Sequence, residues 1–580
     1  MLLSHLREVD PRSRSWLHLW APAFTVGLLG ISRGLDEGLI SGIINQKSFK
    51  VSFDFEEGSE VENSIASMLQ AGSIVGSFLA FIVSDLLGRK KTSQMACILW
   101  IIGSVVWFTS VHGHSGDGNL SQLLAGRFIA GLGVGMTPVC APTYLVEIAP
   151  RAIRGLAVCI FSASVYIGIL LGYWVNYGTS LHISNTNSLQ WQAPASLNFV
   201  VAGLIFIGCF FIPESPRWLL KVGRREQARK SLYWLRNCGD NDAVVVNEFE
   251  TICEQLDKEA EARGNRAWYH IFWQMLRTPR NLHILAIGIG IQVFGQFSGG
   301  GSMTVFAPKL FGYVGITGSQ TKLFTTGIFG VVKLVSSMAA AFFIIDLAGR
   351  KTAVMAGLSL QAFCSLYLCI YLKYNYNVDA ATETKGQKMA SEAGIAMIFL
   401  SGLAWAIGVN SVQYLSQFAF SLKPRTELFS LEVRALGVGF ISIIHFLCQF
   451  GSSRSVNPII ASGGPWSLFL FFFIMSIAAL IFVFFMMPEV SGYQLEQIKE
   501  LFESKPWYLV GATQNRPLRV KDEAAMGDDV PQLGKQSQME EDRQRAAAVE
   551  EKEGSQDGHN DKEEQDKKEQ DQIVTRTTTA

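Results

Sequence analysis

Asp85-Leu86-Leu87-Gly88-Arg89-Lys90 and Asp346-Leu347-Ala348-Gly349-Arg350-Lys351 are one six-residue phrase written twice, 261 positions apart, each directly after a long apolar run. Two further pairs keep step with it. Glu147 precedes Arg154 by seven positions and Glu427 precedes Arg434 by seven, an offset of 280 between the acids. Pro213-Glu214-Ser215 recurs as Pro488-Glu489-Val490-Ser491 at an offset of 275. Three near-equal offsets at the ends of apolar runs mark a duplicated unit of about half the chain.

Composition states what kind of unit it is. The 580 residues are 49% apolar and only 17% charged, with 39 Phe and 54 Gly, which excludes a soluble multidomain enzyme. Forty-nine Lys and Arg against 49 Asp and Glu give a formal charge of zero, so no nucleic-acid partner is expected. None of the nine Cys stands in a Cys-x-x-Cys, which leaves neither a disulfide framework nor a metal site.

A helix that crosses hydrocarbon needs about 20 mostly apolar residues, because its backbone polar groups must be satisfied within the segment. Twelve such runs occur, at 17–44, 64–84, 93–111, 120–144, 156–178, 196–212, 282–312, 321–344, 352–373, 393–415, 436–458 and 465–487. The expected fold is an all-α membrane protein of two six-helix bundles, 17–212 and 282–487, joined by a linker at 213–281 with short amphipathic helices. A short N-terminus, 1–16, precedes them, and a polar tail, 488–580, follows; its composition predicts disorder after about 504.

Basic clusters fall in alternate loops, at Arg89-Lys90-Lys91, Arg151 with Arg154, Arg224-Arg225, Arg350-Lys351 and Lys423 with Arg425. By the positive-inside rule these ends and both termini are cytoplasmic. The first opposite loop is acidic, with Asp54, Glu56, Glu57, Glu60 and Glu62, and the second carries the sequon Asn119-Leu120-Ser121, a glycosylation candidate. Acids beside the basic turns are more than topology requires. Asp85, Gly88, Arg89, Glu147, Arg154, Glu214 and Arg217, with their second-half counterparts Asp346, Gly349, Arg350, Glu427, Arg434 and Glu489, are expected to latch neighbouring helix ends.

Together these motifs resemble the sugar porter family of the major facilitator superfamily, in its fungal branch, over roughly 17–503. The most specific piece runs from Gly126-Arg127-Phe128 through Gly131, Gly133 and Gly135 to Tyr144-Leu145-Val146-Glu147-Ile148-Ala149-Pro150 and Arg154-Gly155. Pro213-Glu214-Ser215-Pro216-Arg217-Trp218-Leu219 and Pro488-Glu489 with Gly492 stand beside it. The resemblance implies a secondary transporter that works by alternating access, driven by the proton gradient with no cofactor and no enzymatic chemistry. It implies a plasma-membrane monomer whose partners are a small solute, a sugar or polyol, and the bilayer.

Charged residues within spans are costly and are read first as functional. Asp36 and Arg127 match positions where the family's proton-coupled members carry an acid and its basic partner; a static ion pair is the other reading. Arg33 sits where the family has an aromatic or apolar residue, and is either a partner for Glu37 at i,i+4 or a substrate ligand. Lys333, in the middle of the eighth run, would bind a substrate carboxylate or pair with an acid from another helix.

Against the family's sugar site the chain has lost amides. Gln296 is kept, but Gly295 and Gly301 replace two others; Phe306 remains of an aromatic pair, and Ser162 and His445 stand where amides are usual. Gln292 and Asn176 are further polar residues within spans. The tenth run fits least, with Val409 and Val412 for the family's Pro and Trp and about nine extra residues near 416–424. The expected substrate is a sugar or related polyhydroxylated solute. Quinate or another anionic or non-hexose solute is the alternative, and export of a secondary metabolite or nutrient sensing without transport are rival functions.

Overall fold

The computed structural model of the protein describes residues 16–111, 118–150, 153–238, 242–263, 277, 279–340, 349–376, 384–410 and 431–487. Each of the twelve apolar runs is mainly helical over its described residues, and among the described residues nine helices are long and apolar enough by themselves to cross a membrane. The first run is interrupted. A π turn, Trp16–Trp20, leads into α1 (Ala21–Gly27), a 3-10 turn at Leu28–Gly30 and α2 (Ile31–Ile43), every residue of which is buried.

After the short α3 (Lys47–Ser52) come five continuous spans: α4 (Glu60–Leu87), α5 (Arg89–Phe108), α6 (Leu120–Ile148), α7 (Arg154–His182) and α8 (Leu189–Phe211). The linker forms α9 (Pro216–Lys221), α10 (Arg225–Arg236) and α11 (Ala243–Arg263). The second half opens with a broken span, α12 (Pro279–Phe297), α13 (Gly300–Val305) and α14 (Ala307–Tyr313). It continues through α15 (Ser319–Ala339), α16 (Arg350–Asn375), α17 (Lys385–Trp405) with a π turn to Asn410, α18 (Leu431–Gly463) and α19 (Pro465–Met486).

Several helices outrun the apolar windows that announced them. α4 begins at Glu60, not 64, because Ser59 caps it by accepting from the Glu62 N–H. α7 runs to His182, beyond the apolar window that ended at 178, and the Ile183 N–H closes it on the Thr179 carbonyl. The seventh span, expected continuous, breaks at Ser298-Gly299. Gly299 has φ +101°, and a β-carbon there would meet the Phe472 ring at 2.6 Å, so only glycine serves the turn.

Packing repeats between the halves as a duplication requires. The second span packs on the fourth, the third on the sixth and the first on the fifth, matched by ninth on twelfth and seventh on eleventh. The halves meet along α4 with α18 and along α7 with α15, two seams exchanged by a pseudo-twofold.

The α2–α7 contact sets the position of the buried charges. Gly34 and Gly38 face the Val165 and Ile169 backbone so closely that a β-carbon on Gly34 would lie 1.7 Å from the Val165 carbonyl oxygen. That glycine face turns Arg33, Asp36 and Glu37 toward the rest of the molecule. Gly34→Val is expected to cost about 3 kcal/mol. It should lower the melting temperature of the detergent-purified full chain, whereas Gly155→Ala, with open space around its Cβ, should leave it unchanged.

Candidate functional site

Asp36 and Arg127 form a bidentate pair between α2 and α6, with Nη1 to Oδ1 at 3.0 Å and Nη2 to Oδ2 at 3.1 Å. Arg127 is 1% exposed and its Nε also donates to the Ile65 carbonyl at 2.8 Å, so the guanidinium ties three helices. Such a pair is favourable only with its geometry intact.

One turn away, Arg33 Nε donates to Glu37 Oε1 at 2.9 Å, the i,i+4 pairing expected from spacing. Gln449 of α18 donates to the same Glu37 oxygen at 2.7 Å, which brings the second half of the chain onto the acid. The Arg33 guanidinium also lies 5.8 Å from the centre of the Phe446 ring.

Lys333 makes no ion pair among the described residues. Its Nζ donates to Thr304 Oγ1 and sits 5.1 Å over the Phe329 ring, with Glu37 and Arg33 both within electrostatic reach. Tyr173 of α7 donates to the Thr304 carbonyl at 2.7 Å and also feels the Glu37 charge. Arg33, Glu37, Lys333, Tyr173, Thr304 and Gln449 therefore form one buried polar group between the halves.

His445 Nδ1 lies 2.9 Å from Gln292 Oε1 and 3.3 Å from Gln296 Nε2, so the three candidates from α12 and α18 are brought together. Gln296 Oε1 has no hydrogen-bond partner and faces Gly301, whose absent side chain leaves room beside it. Gln449 Oε1 and Gln361 Oε1 are likewise buried without a partner. Buried amide oxygens of this kind are suited to hydroxyl donors.

Other candidates go elsewhere. The Asn176 amide is committed to the carbonyls of Leu39 and Gly172, both at 2.9 Å, and of Gly38; it ties α7 to α2 and has no donor left for a solute. Ser162 is half-buried three turns from Tyr173 on the same face of α7. Phe306 is buried in the core at the α13–α14 break.

Trp405 of the tenth span packs its ring against the seventh span. A β-carbon on Gly300 would lie 2.0 Å from its indole, and Val409 closes on Gly295. Gln449 was legible only as a residue one turn past His445. Trp405 gave the signal of a lone Trp in a span, but seven positions from Val412, where the family pattern looks for one.

The two ends of the bundle are tied differently. At the Gly88 end, Arg89 reaches Asp85 at 3.2 Å and Glu147 at 3.1 Å. Glu147 thus pairs with Arg89 across helices, and Arg154 Nε donates to the Ala149 carbonyl. Glu214 accepts from the Arg89 and Lys90 N–H groups at the start of α5, at 3.0 and 3.1 Å. Burial lifts the Glu214 carboxyl above its ordinary range, against the lowering effect of the Ser215 and Lys90 N–H groups.

Gly88, at φ +94°, leaves room for that carboxylate, and Arg217 lies in the adjoining α9. The second half repeats part of the device. Gly349 has φ +86°, and Lys351 donates to the Phe484 carbonyl as Lys90 does to Phe210. Asp346, Glu427 and Glu489, and the side chains of Arg350 and Arg434, lie outside the described residues.

At the opposite end the halves are joined directly. Lys309 Nζ lies 3.4 Å from Glu62 Oε1 and 2.9 Å from Asn457 Oδ1, Asn457 donates to Asn63 at 2.8 Å, and Arg454 reaches Glu60 at 3.1 Å. Asn119 is exposed at this end, capping α6 by accepting from the Gln122 N–H.

A family described as "Sugar (and other) transporter" matches residues 23–502. The chain belongs to that family. Its relatives include the quinate permease of Neurospora terricola, 32% identical over 482 residues, covering 82% of this chain and 86% of that protein. The probable quinate permease of Aspergillus oryzae is 30% identical, with 86% and 91% covered.

Among solved structures, the proton:xylose symporter XylE bound to 6-bromo-6-deoxy-D-glucose aligns with a TM-score of 0.66 at 22% identity, covering 84% of this chain and 99% of that one. The partially occluded inward-open XylE from E. coli aligns at 0.65, with 82% and 100% covered. The fold is that of the major facilitator superfamily. The protein is a multi-pass membrane transporter of a small-molecule solute, not an enzyme.

Proposed function

We propose that the protein is a proton-coupled symporter of a polyhydroxylated solute, and that the solute carries a carboxylate. The buried bidentate Asp36–Arg127 pair carries the first part. An acid held in low dielectric by one guanidinium changes its proton affinity when the pair opens, which is what coupling to helix motion needs. Protonation would release Arg127 and let α2 move against α6.

The solute class is supported by the buried polar and aromatic groups described above. Unpartnered amide oxygens of Gln296, Gln361 and Gln449 suit hydroxyl groups, Trp405 offers a ring face, and the excess of basic over acidic side chains near Glu37 suits a carboxylate. The quinate permeases among the relatives have a substrate of this kind by name. In this reading the Gly88 end and both termini are cytoplasmic, the membrane is the plasma membrane, Asn119 bears the glycan, and the protein works as a monomer.

Uptake of labelled quinate, inositol and glucose at two external pH values, in cells lacking their own carriers, tests the proposal. Faster quinate uptake at the more acidic pH, with glucose failing to compete, is expected. Glucose uptake that quinate leaves untouched would replace the carboxylated solute by a neutral sugar. Transport detected only in inverted vesicles would indicate export, and none in either direction would favour a sensor.

A further inference from the structure

Arg33 and Gln449 meet on Glu37, with Lys333 within electrostatic reach of Arg33 and Glu37, and this group is distinct from the self-neutral Asp36–Arg127 pair. Arg33 and Lys333 are 7% and 1% exposed, and Glu37 is 5% exposed. Glu37 holds Arg33 Nε at 2.9 Å and Gln449 Nε2 at 2.7 Å through a single oxygen, Oε1. These are the donors that a bound carboxylate would use, a guanidinium N–H and an amide N–H.

We propose that Arg33 binds the substrate carboxylate and that Glu37 is its internal competitor, taking up a proton when the substrate displaces it. The inference rests on the reading that the solute is an anion. A carboxylate buried without its guanidinium is costly and is neutralised by protonation. One proton arriving on Glu37 with one carboxylate arriving on Arg33 leaves the net charge of the group unchanged. The proton comes from the aqueous side to which the site is open, and no covalent bond other than the O–H is made.

The groups that bear on Glu37 come from every neighbouring helix. They are Arg33 and Asp36 on its own helix, Gln449 on α18, Lys333 on α15 and Tyr173 on α7. His445 on α18 lies within reach of the Arg33 charge. Lys333, held by Thr304 and Phe329, keeps the group basic while Arg33 changes partner, so the anion still finds a net positive site. Glu37 is thus a second proton acceptor, tied to substrate recognition, whereas Asp36 is tied to the α2–α6 contact.

The test is equilibrium exchange by the full chain in proteoliposomes, with the same pH on both sides so that no gradient drives flux. For the wild type, the half-saturating quinate concentration should rise with pH, by up to about tenfold per pH unit. Glu37→Gln should abolish that dependence.

Arg33→Gln should raise the quinate half-saturation about tenfold or more while changing inositol exchange less than about twofold. If Arg33→Gln alone folds poorly, the Arg33→Gln/Glu37→Gln pair removes both charges and should show the same quinate-selective loss. A wild-type pH dependence surviving in Glu37→Gln, or equal weakening of quinate and inositol by Arg33→Gln, overturns the inference. Exchange of inositol but not quinate by the wild type overturns it while leaving transport of a polyol intact; exchange of neither overturns both readings.

Discussion

Asp36→Asn is expected to lower proton-driven substrate accumulation about tenfold per unit of pH gradient while leaving exchange of labelled for unlabelled substrate measurable. Each coupled proton can concentrate the solute about tenfold per unit of pH gradient, since each unit is worth about 1.4 kcal/mol. An amide at position 36 still donates and accepts hydrogen bonds, so α2 and α6 keep a contact, but it neither binds nor releases a proton. Loss of accumulation with retained exchange separates coupling from binding and from folding. Undiminished accumulation in the variant would reduce the Asp36–Arg127 pair to a static tie.

Arg127→Gln should have the largest effect on stability. Removing one member of a buried pair strands the other, and the cost is about 3–5 kcal/mol, a large part of a typical folding margin of about 5–15 kcal/mol. The loss here is compounded because Arg127 also satisfies the Ile65 carbonyl. Thermal unfolding of the detergent-purified chain should show a clear drop in midpoint. The double variant Asp36→Asn/Arg127→Gln should recover most of it, because both charges leave together. Equal destabilisation in the single and double variants would show that the cost lies in packing and not in the stranded carboxylate.

Much of this was legible before any coordinate. Duplication followed from subtraction of residue numbers, and the structure returns it as matched glycine turns at 88 and 349 and matched lysines at 90 and 351. Asp36, Arg127 and Arg33 stood out because charge in an apolar run demands a reason, and the Arg33–Glu37 spacing already named one pair. Cross-helix partners were not legible. Spacing marked Glu147 as a latch residue but did not name Arg89 as the side chain that reaches it.

Lys333 could be placed at mid-helix but not against Thr304, and Asn176 was a candidate ligand until three backbone carbonyls claimed it. One sequence states the face of a helix but not its register against a neighbour, and register decides which polar group is left for a solute. The join between halves at Glu62, Lys309 and Asn457 went unread for the same reason, since its members lie 247 and 148 positions apart.

The central claim is that solute and proton move together. The full chain in sealed proteoliposomes, with a pH-sensitive dye inside and no imposed gradient, tests it directly. Addition of quinate outside should acidify the lumen in step with quinate uptake, and Asp36→Asn should lower the number of protons that enter per quinate. Quinate uptake by the wild type with no change in internal pH would contradict proton-coupled transport.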